Sequence, residues 1–304
     1  MATPTAKRSP RPKQVEVVDP RWIATALALT LLAALLFAYL TLCALLYQGS
    51  WQLMLAPSPK VDKTPSILFE PIRFDAAATG QPRLTGWWIP AFPGAATGPF
   101  ATPTRTILFL HDGSGSLSST IPRLELLHTA GVDIFAIDYR GFGHSDPPHP
   151  NEARMAEDAQ AALDYLEETR HIPAPTIVPY GEGLGAVLAA NLANAHADLR
   201  GVIIDTPDPD AFARATSSAR ARLLPMSLLM QEHFDLRAAL ATSHTPKLLL
   251  ADGPFGFDGD RVRANQALFR TLPDPKISVT FDNPRSGDAY VQSLTRFFDE
   301  YIPK

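Results

Sequence analysis

Residues 22–47, from Trp22 to Tyr47, contain no charged side chain. No other segment restricts the fold as tightly, because so long an apolar run has few solutions. At 1.5 Å of rise per residue, about 20 apolar residues cross the hydrocarbon core of a bilayer, and this stretch is longer. A buried core helix is shorter. Trp22, Tyr47 and Trp51 stand where interfacial aromatic side chains are expected. The preceding tail carries Lys7, Arg8, Arg11, Lys13 and Arg21 against Glu16 and Asp19. That bias predicts a cytoplasmic N-terminus and an extracytoplasmic (periplasmic, extracellular or lumenal) C-terminal domain. The rival reading is a cleaved signal peptide, whose apolar core runs about 7–15 residues before a small-residue cleavage site. Here the run is longer, and Leu45-Leu46-Tyr47-Gln48 is a poor cleavage site. Leu40-Thr41-Leu42-Cys43 is a weak lipoprotein-like match, since a bulky leucine precedes the cysteine. The sequence therefore predicts a basic tail over 1–21, a single transmembrane helix over 22–47, a linker over 48–66 with Pro57, Pro59 and Pro65, and a folded domain over 67–304.

Within that domain, strand and helix patterns alternate, which predicts a mostly parallel sheet flanked by helices. Pro71–Asp75 and Leu84–Pro90 read as an opening antiparallel pair around a turn at Thr79-Gly80. Thr106–Leu110, Val132–Asp138, Thr176–Tyr180, Val202–Asp205, Lys247–Ala251 and Ile277–Phe281 read as strands. Ile121–Ala130, Glu152–Arg170, Leu184–Ala195, Asp260–Leu272 and Asp288–Tyr301 read as helices. Pro207–Leu240 reads as a helical insertion in the position of a lid. A net charge of −4 gives no nucleic-acid footprint. The single cysteine, Cys43, excludes an intrachain disulfide and a zinc site of the usual cysteine type.

Four stretches carry a resemblance. Leu84-Thr85-Gly86-Trp87-Trp88-Ile89-Pro90 is similar to an early family strand. His111-Asp112-Gly113-Ser114-Gly115-Ser116 is similar to an oxyanion loop. Asp138-Tyr139-Arg140-Gly141-Phe142-Gly143-His144-Ser145 is similar to a D-Y-R-G-x-G-x-S turn. Tyr180-Gly181-Glu182-Gly183-Leu184-Gly185 matches the nucleophile elbow G-x-S-x-G except at the serine. On these residues the chain resembles, over roughly 67–304, the membrane-anchored α/β-hydrolases of the serine-peptidase and acyl-thioesterase-like group.

The resemblance implies a site that can be checked position by position, since a fold alone confers no activity. Serine hydrolysis needs a hydroxyl, a base, a group that orients the base, and donors for the oxyanion. Gly183 holds the nucleophile's place and has no side chain. Glycine also adopts positive φ freely, where another residue in an elbow is strained by about 1–3 kcal/mol. Ser286, in the loop Asp282–Asp288, stands where the family has its histidine base. The loop after Lys247–Ala251 offers Asp252 or Asp258 as a vestigial acid, with Asp205 as second choice. His111, Asp112, Gly113, Ser114 and Leu184 form the vestigial oxyanion loop. Asp112 replaces a glycine there. Its carboxylate either faces the hole, where it opposes the charge the hole must stabilise, or points away and caps the following turn. His111 and His144 read as structural. His128, His149, His171, His196, His233 and His244 lack i,i+4 spacing, so no metal site is expected, and no cofactor either.

Three functions follow as expectations. The first is a non-catalytic, membrane-tethered pseudo-hydrolase that binds a membrane-protein partner or a small apolar ligand. Its insertion carries Leu223, Leu224, Met226, Leu228, Leu229 and Met230. The second is a serine hydrolase with a relocated site, built from Ser114 or Ser116 with His111 or His144. The third is a structural envelope protein whose pocket has filled.

Overall fold

The computed structural model describes residues 19–75, 81–91, 105–218, 221–252, 259–281 and 287–302. Two compact units divide the chain, Met1–Tyr47 and Gln48–Lys304. The first contains the long apolar helix α1 (Pro20–Gly49), whose run continues as a 3-10 turn over Ser50–Leu53. By length and composition, Pro20–Leu53 suffices to cross a membrane, a test that a signal sequence near an N-terminus also passes.

The second unit is an α/β body. Its elements, in chain order, are β1 (Ala56–Pro57), β2 (Glu70–Asp75), β3 (Pro82–Ile89), β4 (Thr106–Leu110), β5 (Ser114–Gly115), α2 (Leu117–His128), β6 (Asp133–Asp138), α3 (Glu152–Asp164), β7 (Ile177–Glu182) and α4 (Gly185–Ala195). There follow β8 (Val202–Asp205), α5 (Ala211–Ala215), α6 (Met226–Leu229), α7 (Leu236–Ala241), β9 (Lys247–Asp252), α8 (Gly259–Thr271), β10 (Lys276–Phe281) and α9 (Gly287–Tyr301). Among the described residues, eight strands form one sheet in the order β10-β9-β8-β7-β4-β6-β3-β2, with β3 running against both its neighbours. The central strands read as continuous apolar runs because both their faces are covered. In β4, Leu108 and Leu110 pack against the side of α3 and α4, while Ile107 and Phe109 pack against the side of α2 and α9. That split follows from the two-residue period of a strand.

Two elements depart from the sequence reading. Helix α2 starts at Leu117 rather than Ile121, even though Pro122 lies inside it. Ser116 begins it: Ser119 Oγ accepts the Ser116 N–H at 3.4 Å and donates to the Ser116 carbonyl at 2.6 Å. The stretch 48–66, read as a linker, is part of the body. Leu55 is buried in the core, β1 pairs with β5 in parallel, and Ala56 N–H donates to the Gly113 carbonyl at 2.8 Å. The turn at Thr79-Gly80 lies outside the described residues.

Candidate functional site

The parallel register sets Leu110, Ile137 and Gly181 side by side, so His111, Asp138 and Glu182 collect at one carboxyl edge of the sheet. Ligand sites of open α/β sheets lie outside such edges. There β7 turns sharply into α4. At Gly185 a Cβ would strike the carbonyl of Leu110, so only glycine lets α4 pack this close to β4. At Gly183 φ is +58°. A Cβ on residue 183 would overlap the carboxylate of Asp112.

Asp112 thus faces the elbow. Its Oδ1 accepts the Leu184 N–H at 2.8 Å. In this fold the amide after the nucleophile is an oxyanion donor, and here a carboxylate of the same chain already holds it. The amide also belongs to the first turn of α4, where the helix dipole favours an anion. The oxyanion loop is pinned from outside as well. Gly113 runs so close to Leu184 and Leu55 that a Cβ would lie 2.7 and 2.9 Å from their side-chain carbons.

His111 is fully buried between the rings of Tyr139 and Phe142, 4.6 and 5.1 Å away by centroid. Burial lowers its pKa to about 4 despite the hydrogen bond to the Asp112 carbonyl. The neutral ring places Nδ1 2.6 Å from that carbonyl and Nε2 3.6 Å from Asp138 Oδ1. Burial pushes Asp138 up to about 7, against the hydrogen bonds from the Leu117 and His144 amides. Both nitrogens of His111 therefore face protein groups other than a serine hydroxyl. Ser116 Oγ is buried and donates to the Lys60 carbonyl at 2.9 Å, while Ser114 and His144 are exposed.

Asp205 and Glu182 end adjacent strands in register. Arg123 lies between them, its Nε 3.3 Å from Asp205 Oδ2 and 3.4 Å from Glu182 Oε1. Tyr180 donates to Asp205 Oδ2, Thr206 donates to its Oδ1 at 2.7 Å, and the hydroxyls of Tyr180 and Tyr290 are 2.9 Å apart. Burial opposes the charge on Arg123, but Asp205, Tyr180 and Glu182 outweigh it and raise its pKa. Asp205 is therefore spent on a buried ion-pair network. Asp252 is buried at the end of β9, opposite Phe281. Asp258 and Ser286 lie outside the described residues.

Above the elbow is a cavity of about 310 Å³ lined by Leu53, Met54, Asp112, Leu184, Asp208, Ala211, Arg214 and Ala215. Five of its eight lining residues are apolar, yet polar atoms make up more than half of the lining surface. Asp112 contributes a carboxylate, and Asp208 is ion-paired with Arg214. Its volume falls at the small end of ligand pockets, about 300–1,000 Å³. Among the described residues, no group of three or more His, Cys, Asp or Glu could hold a metal ion.

Sequence reading missed Leu53 and Met54 as pocket walls and Arg123 as the cation of the buried network. A signal existed for Arg123. It lies three residues after Thr120 and four before Leu127, both buried positions of α2, so a charge interrupts the helix's inward stripe.

The chain belongs to the alpha/beta hydrolase family, whose model matches residues 107–299. It is 25% identical over 228 residues to the uncharacterized protein YfhR of Escherichia coli O157:H7, covering 71% of this chain and 76% of that one. A second relative, the uncharacterized protein Rv2307c of Mycobacterium tuberculosis, is 29% identical over 178 residues, 56% of this chain and 57% of its own length. Among solved structures, an esterase of Pyrococcus furiosus superposes with a TM-score of 0.60 at 16% identity, covering 82% of this chain and 97% of the esterase. An α/β hydrolase of Vibrio vulnificus gives 0.53 at 21%, covering 71% and 75%. Both likenesses concern the fold.

Proposed function

We propose that this protein is a membrane-tethered member of the family that has given up serine-type hydrolysis and binds a small apolar ligand or a membrane-protein partner at the former site. The segment 22–47 is its anchor, with the basic tail in the cytoplasm and the body outside. The observation that carries this reading is the Asp112 carboxylate on the Leu184 amide, against the bare Cα of Gly183. Loss of a nucleophile alone costs about 10⁶ in rate. A fixed negative charge about 4 Å from a developing oxyanion adds about 4 kcal/mol of repulsion at an effective dielectric of about 20, close to a further thousandfold. The buried His111, with Nδ1 on the Asp112 carbonyl and Nε2 facing Asp138 Oδ1 at 3.6 Å, supports the same reading against a relocated serine site.

The test is hydrolysis. Wild type and Gly183→Ser should show no turnover of a p-nitrophenyl ester above the uncatalysed rate and no labelling by a fluorophosphonate probe, since the single change supplies neither base nor oxyanion hole. A serine of the folded wild-type protein tagged by the probe would sink the proposal and favour a working hydrolase with a relocated site.

A further inference from the structure

The insertion between β8 and β9 balances Asp208, Asp210, Glu232 and Asp235 against Arg214, Arg220, Arg222 and Arg237. Arg214 is paired to Asp208 and Arg237 to Asp210, and one stretch of the insertion is apolar at exposed positions. Residues 211–231 include Arg214, Arg220 and Arg222 and no acidic residue. Leu223 is 78% exposed and Leu228 76%. Beneath them Leu229 and Met230 are buried, so the segment already has an inner apolar face. Leu223 and Leu228 make a second one, with the exposed Arg222 alongside.

The insertion is fastened at a telling place. Glu232 is buried and accepts a hydrogen bond from Ser50 Oγ at 3.1 Å. Ser50 is the residue that follows α1. Leu53, 44% exposed, extends the apolar run into the body. Leu228 is four residues from Glu232, so chain connectivity keeps it near the point where the chain leaves its apolar helix.

We infer that Leu223 and Leu228 dock into the bilayer that holds α1. The leucines enter the boundary between headgroups and acyl chains, and the exposed Arg222 meets anionic headgroups, the pattern of an interfacial amphipathic segment. This inference rests on the membrane tether of the proposed function. It adds a second contact, which fixes the pocket-bearing side of the body at the lipid surface.

The full chain, with Cys43→Ser, is labelled with an environment-sensitive fluorophore at Leu228→Cys, or separately at Leu223→Cys, and reconstituted in vesicles. Emission should be blue-shifted and quenched by brominated phosphatidylglycerol. Quenching should fall several-fold when the vesicles are brominated phosphatidylcholine alone, or with Arg222→Glu in the phosphatidylglycerol vesicles. A label at Glu168→Cys, an exposed position on the helical turn after α3, should report water throughout. Labels at 223 and 228 that behave like the one at 168 would overturn the docking. A blue shift without bromolipid quenching would overturn it too, by assigning the leucines to a second copy or another protein. Alkaline carbonate extraction separates the two readings. A protein washed off the membrane defeats the tether and the docking together. A retained protein with an unquenched label defeats the docking alone.

Discussion

At residue scale, positions 112 and 183 are sterically coupled, because any Cβ at 183 would overlap the Asp112 side chain. Gly183→Ser must also hold a non-glycine residue at φ +58°. It should destabilise the protein by about 1–3 kcal/mol for the backbone alone, and by more while Asp112 stays. Asp112→Gly should recover part of that loss, although it releases the Leu184 amide. Denaturant unfolding of the two single variants and the double variant should give a favourable coupling of about 0.5–3 kcal/mol, and additive effects would show that the two positions do not meet. His111 and Asp138 make a second residue-scale prediction. Between about pH 4 and 6.5 the folded pair holds one proton, on Asp138, and the unfolded pair also holds one, on the histidine. Equal proton counts make the pair's contribution flat with pH. Each single variant exposes one slope. In Asp138→Asn, His111 has a folded pKa below its unfolded one, so stability should be full above about 6.5 and be lost as pH falls toward 4. In His111→Asn, Asp138 has a folded pKa above its unfolded one, so stability should be full below about 4 and be lost as pH rises toward 7. The steepest slopes are about 1.4 kcal/mol per pH unit. Parallel curves for wild type and both variants would refute the opposed shifts of His111 and Asp138.

At element scale, the segment 50–58 behaves as part of the fold. Leu55 fills the core against Gly113, and Ala56 and Ser58 donate to the carbonyls of Gly113 and Gly115. Leu55→Ala should cost about 2–5 kcal/mol, the range for a buried leucine. A loss below 0.5 kcal/mol, typical of surface positions, would mean that the segment is the spacer its prolines predict. This segment shows where sequence reading stops. The strands β4, β6, β7, β8 and β9 were legible as apolar runs, and α4 and α9 as helices, because burial on one or both faces writes a period into the chain. The elbow was legible because glycines at 181, 183 and 185 answer local demands of geometry. Leu55 precedes a two-residue strand among prolines, whose partner β5 is almost 60 residues away, so no local period betrays it. Asp112 was legible as a substitution, but its direction was not, since the space it fills is made by the absent side chain of residue 183. The network of Arg123, Glu182 and Asp205 was hidden for a similar reason. Its charges come from three separate elements, and only the fold neutralises them.

At the scale of the whole molecule, the proposed tether makes the charge of the short tail the determinant of which side of the membrane the body occupies. Lys7, Arg8, Arg11 and Lys13 precede the helix by fewer than 20 residues, within the range over which basic residues set orientation. Within the same distance after the helix only Lys60 and Lys63 compete with them, fewer than the tail carries. In intact cells, with Cys43→Ser, a membrane-impermeant maleimide should therefore label Glu168→Cys on the body and leave Ala6→Cys in the tail untouched. Replacing Lys7, Arg8, Arg11, Lys13 and Arg21 by glutamate removes the orienting signal, since acidic residues contribute little to it. Labelling at residue 6 should then appear and labelling at residue 168 should fall. The large folded body resists such a reversal, because long domains are translocated largely regardless of nearby charge, so the expected result is a mixed population rather than complete inversion. Strong labelling of Ala6→Cys with the native tail would reverse the orientation. It would place the pocket, the Asp112 carboxylate and the insertion on the cytoplasmic side. Anionic lipid is concentrated there in many membranes, so Arg222 would still find a matching surface, while the proposed extracytoplasmic role would not survive.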